Sequence, residues 1–197
     1  MTRSLLTAGF ALSALALAAC GKTETAAAPG ETPSISPKTM ADSLHAVMNA
    51  DRSVYTKLIV NRLQNEEKVI TASEHFKEDK ALVLPAQMFR FGAETVAEKG
   101  APFSYSLESL WAINKQNVPK TDVEKAGLKY VAEHKGENYY ANETLGDKQY
   151  FTAVYADTAV APACVVCHNA HKDSPRTDFQ LGDVMGGVVV RIPLDKT

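Results

Sequence analysis

A mixed α+β domain is the fold class this chain predicts, and three observations carry it. Apolar residues recur at helical spacing through the first half. The second half is rich in β-branched and aromatic residues in short runs. Gly146-Asp147 then separates two of those runs as a tight hairpin turn would. Helices first and an antiparallel sheet later is the α+β order.

The first element reads as one long helix from about Met40 to Thr71. Leu44, Val47, Met48, Val54, Tyr55, Leu58, Ile59 and Leu63 supply its period. Pro85 suits the first turn of a second helix, with Met88, Phe89, Gly92 and Val96 on one face and Gly100 and Pro102 as its stop. Thr121 and Glu124 form a capping box for a third helix, which ends around His134, Lys135 and Gly136. Phe103 to Ile113 contains a strand. Tyr139–Leu145 and Gln149–Ala156 make the hairpin, and Gly187–Leu194 is the final strand.

The chemistry concentrates between the last two strands, at Cys164-Val165-Val166-Cys167-His168. This is C-x-x-C-H, the attachment signature of a c-type haem. Each thiol forms a thioether with a haem vinyl group, and the adjacent imidazole ligates the iron. A thioredoxin-like dithiol wants a βαβ context that is missing here. Zinc through Cys164, Cys167, His168 and His171 would crowd every ligand into one short segment, whereas zinc motifs draw on separated pairs. A plain disulfide or two free thiols is the remaining reading.

The N-terminus reads as an export signal. Arg3 is followed by an apolar run from Leu5 to Leu17 and by small residues, too short for a membrane-spanning helix. Leu17-Ala18-Ala19-Cys20 also resembles a bacterial lipobox. That resemblance implies cleavage after Ala19, lipidation of Cys20 and, with Gly21 following, an outer-membrane address. Ordinary cleavage that leaves a free thiol is the alternative. Residues 1–19 are thus a lipoprotein signal and 20–37, rich in Thr, Ala, Pro, Gly and Ser, a tether. Residues 38–197 form the domain. The chain has three cysteines, one for lipid and two for haem. A net charge of −2 is no footprint for nucleic acid.

Further residues resemble a known family. They are the run from Cys164 to Pro175, then Leu181-Gly182-Asp183-Val184-Met185-Gly186-Gly187 and Ile192-Pro193-Leu194. Tyr150–Tyr155 and Ala112–Pro119 add to them. Together they resemble a bacterial family of single-haem c-type domains with a PAS-like fold. Its members are free-standing periplasmic cytochromes and extracytoplasmic haem sensor domains of histidine kinases and cyclases. The resemblance implies a PAS-like antiparallel sheet with long N-terminal helices and one covalent haem between the last two strands. It makes Cys164 and Cys167 the anchors and His168 the proximal iron ligand.

Some family members use a cysteine as the sixth ligand, and its place falls near Ala86 to Met88. Met88 is the candidate here, with Gly92 one turn later to admit a flat porphyrin. A gap-filling core methionine is the competing reading for Met88. His45, His75 and Met185 are rivals, and an open sixth position also remains. His171 and His134 read as a surface residue and a helix C-terminus. Arg90 and Arg62 suit haem propionates or a solvated face, and Trp111 the pocket wall or the general core. The expected function is electron transfer with periplasmic redox partners, on a membrane tether. The alternative is a sensor of redox state or of a diatomic gas. No distal His–Arg pair suggests peroxidase chemistry, so an enzyme is not expected.

Overall fold

Pro37 opens the first helix because its missing N–H costs nothing there, and the Ser36 hydroxyl accepts from Thr39 N at 3.1 Å. The computed structural model describes residues 34–194, and from Ile35 the chain packs as one unit. The expected signal and Cys20 lie outside the described residues. Helix α1 spans Pro37–Val54 and continues without a break as a π-helical segment, Tyr55–Glu66. Within this segment the Thr56 hydroxyl donates to Arg52 O and Arg62 Nε to Leu58 O. Such side-chain bonds compete with the regular helix ladder. The helix ends at Glu66, five residues before Thr71, where the periodicity carried it.

Two short parallel strands follow, β1 (Ala72–Ser73) and β2 (Leu82–Val83). Helix α2 (Pro85–Glu98) starts at its proline, and Gly100 (φ +65°) lies just past its end. Strand β3 (Ser104–Glu108) leads to a 3₁₀ turn at Lys115–Asn117 and helix α3 (Asp122–Glu133). The Thr121–Glu124 capping box is formed. Strands β4 (Tyr139–Leu145) and β5 (Lys148–Thr158) form the hairpin around Gly146, whose φ is +64°. Helix α4 (Pro162–Ala170) and strand β6 (Val184–Pro193) close the chain.

The main sheet is antiparallel with order β3-β6-β5-β4. Alternation sends Ala153, Tyr155, Val188 and Val190 to one face, where Ala41 and Phe89 of α1 and α2 cover them. Val154 and Val189 face the other side, against Leu128 and Val131 of α3. Gly127 sets how closely α3 approaches: a Cβ there would stand 2.5 Å from Val154 Cγ2 and 2.9 Å from Tyr139 Cδ1. Gly127→Ala should therefore destabilise by about 1–3 kcal/mol through overpacking, after alanine's helix preference offsets part of the clash. Urea unfolding measures this, and a neutral or stabilising result would show that α3 can slide.

Candidate functional site

Cys164, Cys167 and His168 stand at i, i+3 and i+4 of α4, and that spacing puts them on one helix face. All three line a cavity of about 430 Å³ at the end of the sheet, within the range of small-molecule and cofactor sites. Val166, off that face, is 59% exposed, and Cys167 is exposed as well. Helix α4 is thus a surface element whose Cys164–His168 face lines the cavity. Although much of Cys167 reaches solvent, its thiol sits in the concave wall. Desolvation, then Cys164 and Glu74, push its pKa up.

Two amide side chains fix α4. Asn61 of the π-helical segment, 8% exposed, accepts from Ala163 N at 3.3 Å, taking one of the helix's unpaired N-terminal N–H groups. Asn169 clamps Phe179: its Nδ2 donates to Phe179 O at 2.9 Å and its Oδ1 accepts from Phe179 N at 3.0 Å. Phe179 then meets the His168 ring edge-on, with centroids 6.0 Å apart. Arg176 lies over Phe179 at 4.3 Å and over Trp111 at 5.0 Å, and it pairs with Asp183.

The His168 imidazole makes no hydrogen bond among the described residues, and its Nδ1 is buried without a partner. Burial pushes its pKa down, opposed by Asp157 and supported by Arg52 and His171. A neutral, unpaired imidazole beside two thiols in a mostly apolar cavity is a donor set that fits a c-type haem.

The wall also holds an ion pair that no local sequence signal announces. Arg52 of α1 donates through both Nη atoms to Asp157 of β5, Nη2 to Oδ2 at 3.0 Å. The side chains are 13% and 10% exposed. Desolvation works against the Arg52 charge, but Asp157 raises its pKa on balance. The partners are far apart in sequence, so only the helix-on-sheet packing brings them together.

Of the other residues singled out, Met185, Trp111, His171 and Arg90 line the cavity. Met185 is 6% exposed and packs with Phe179, Trp111 and Cys164, on the motif's own side. Arg90 also bonds Glu94 at 3.1 Å. Arg62 points to Glu67 and is not part of the wall.

Met88 does not line the cavity; Ala86, Gln87 and Arg90 do. The helix period explains it, since Met88 lies about 200° around α2 from Ala86. It shares its face with Gly92, whose missing Cβ is claimed by the Tyr105 hydroxyl 2.5 Å away. Gly92 thus admits a tyrosine of the sheet, not a porphyrin. His45 stacks on Tyr155 with centroids 3.9 Å apart, outside the wall. His75 is exposed beside Glu74, and His134 bonds Tyr130 O at the end of α3.

A family model described as Tll0287-like matches residues 30–193. No curated protein matches the chain. Among solved structures, it is similar to one described as the crystal structure of the cyanobacterial heme-protein Tll0287. The TM-score is 0.52 at 15% identity, over 83% of this chain and 99% of that one. At that identity the likeness speaks for a shared fold. Since the family model spans α1 to β6, the chain belongs to the Tll0287-like family.

Proposed function

We propose that the protein is an exported monohaem c-type cytochrome that transfers electrons, tethered to the outer membrane by lipid on Cys20. In this reading Cys164 and Cys167 hold the haem covalently and His168 is its iron ligand. The observation that carries it is the single cavity-facing face of α4 with both thiols and the unpaired imidazole. A haem bound there supplies a one-electron couple at its iron. The sheet with α1 and α2 on one face and α3 on the other supports a PAS-like description. The solved heme-protein of the same fold supports the cofactor.

Electron transfer is favoured by the position of α4. Cys167 and Val166 lie at the surface, so the attachment edge is open to soluble redox partners in the periplasm. Phe179, clamped by Asn169, packs edge-on against the His168 ring and favours one orientation of it. The reading is of a carrier, not an enzyme. The buried arginine of the wall is tied to Asp157 and is not free for acid–base work.

A specific observation favours a second reading, a sensor of redox state or of a diatomic gas. The α2 part of the wall offers Ala86, Gln87 and Arg90, not Met88. Visible spectra of the exported holoprotein, oxidised and reduced, with and without CO, decide between them. A low-spin spectrum that CO leaves untouched is the electron-transfer outcome. Ready CO binding makes gas sensing the function. In either case Met88→Ala should leave the spectrum unchanged. A shift to high spin in that variant would show that α2 rotates to bring the thioether to the iron.

A further inference from the structure

Three buried carboxylates share one guanidinium on the sheet face that α3 covers. Arg191 of β6 donates from Nη2 to Glu124 of α3 at 2.5 Å and from Nε to Glu143 of β4 at 2.7 Å. Glu124 also accepts from the backbone N–H groups of Thr121 and Lys120, and Glu143 from the Thr152 hydroxyl. The third carboxylate is Glu108, the last residue of β3 and 5% exposed. Its Oε1 accepts from the Ser106 hydroxyl at 2.8 Å, and its Oε2 is buried with no partner.

Charge decides which of the three keeps a proton. One guanidinium cannot neutralise three buried carboxylates, and an uncompensated buried charge costs far more than a protonated acid. Glu124 and Glu143 hold the hydrogen bonds of Arg191, so the proton belongs on Glu108. Burial, then the Glu124 charge, push Glu108 up to about 7, against the Ser106 hydrogen bond and Arg191. Glu108 is also among the residues that line the cavity with Cys164, Cys167 and His168, at the end of β3, while its carboxylate turns to the α3 face. Its carbonyl oxygen lies against Gly186 so closely that a Cβ there would collide with it. The Arg52–Asp157 pair on the other sheet face is internally neutralised.

We infer that Glu108 is a redox-linked proton site, so that an electron held in the cavity raises the share of Glu108 that holds a proton. The inference rests on the haem reading above. A haem held by Cys164, Cys167 and His168 would accept one electron from a reduced partner protein. Where Glu108 is ionised, one proton from water would then form the O–H bond on its carboxylate, and oxidation would return both. An electron placed in the cavity is a negative charge near a buried acid in a medium of low dielectric, so it favours the protonated form. By reciprocity the protonated form favours the electron.

The test is the pH dependence of the midpoint potential in the holoprotein and in Glu108→Gln, which mimics the protonated acid. The wild-type potential should fall as pH rises through 7, and the variant should be flat. A flat wild type overturns the proposal. So does a slope that survives Glu108→Gln, above all one that disappears instead in His45→Phe on the opposite sheet face. A second readout needs no haem. In the cofactor-free protein a carboxylic-acid carbonyl band in the infrared should titrate near 7 and be missing in Glu108→Gln. If no haem loads, the redox coupling fails with the function reading, and the band alone decides whether Glu108 binds a proton near neutrality.

Discussion

Replacing Cys164 and Cys167 together by alanine should abolish covalent haem. The exported wild-type protein should keep haem staining through a denaturing gel, and the double variant should show none. The expected change is all or none because a thioether survives denaturation and a coordinate bond from His168 does not. The geometry sharpens the expectation. The i, i+3, i+4 spacing leaves both thiols on the same face as His168, so one helix presents all three groups to the cavity. Either single variant should retain one thioether and a weaker stain. The double variant should still fold, since α4 is held by Asn61, and by Asn169 through Phe179, not by the thiols. It should still take up some haem through His168, now by mass action, so that occupancy falls on dilution. A wild-type protein that carries no covalent haem when exported by a host able to make c-type cytochromes would sink the proposed function. Staining retained in the double variant would sink the assignment of the anchors.

Local signals made much of this fold legible. Pro85, the Thr121–Glu124 box and Gly146 each act within a few residues, and α2, α3 and the β4–β5 hairpin begin or turn where those residues stand. The end of the first helix was not legible. Ile59 and Leu63 continue its period, no glycine or proline marks a stop, and the chain turns out through Lys68 at φ +55° instead. The β1–β2 pair is two residues long on each side, too short for any periodicity to show. The site divides the same way. The two cysteines and His168 are a contiguous motif and could be read directly. Arg52 with Asp157, Asn169 with Phe179, and Glu108 beside Glu124 are relations between distant segments, invisible until the sheet is formed. Met88 shows the converse. A helical face can be read from sequence, but which face meets the cavity is set by Tyr105 in Gly92's space.

Arg191→Met should be the most damaging single substitution in the domain, with a loss of about 3–5 kcal/mol near pH 7. Set against a typical total of about 5–15 kcal/mol, that is enough to populate the unfolded state. The cause is not the lost contact alone. Glu124 and Glu143, with side chains 2% and 5% exposed, would remain in place without their cation. Burial by itself would raise the Glu124 pKa. Hydrogen bonds from Arg191 and from the Thr121 and Lys120 backbone hold it below the usual value. Glu143 is held low in the same way by Thr152 and Arg191. Groups depressed in the folded state stabilise it above their unfolded pKa, and that stability fades as pH falls through the folded value. Without Arg191 the shift reverses. Both carboxyls rise, the folded variant prefers to bind protons, and it gains relative stability as pH drops toward the unfolded carboxylate range. The gap between wild type and Arg191→Met should therefore be widest at pH 7 and above and narrow steadily into acid. Glu108 acts in the opposite sense in the wild type: its raised pKa makes the fold lose stability as pH climbs from about 4.5 to about 7. Chemical denaturation at several pH values measures the whole pattern. A loss under about 1 kcal/mol at pH 7 would mean that water reaches the cluster and replaces the guanidinium. A gap that does not change with pH would mean that packing, not charge, is what Arg191 contributes.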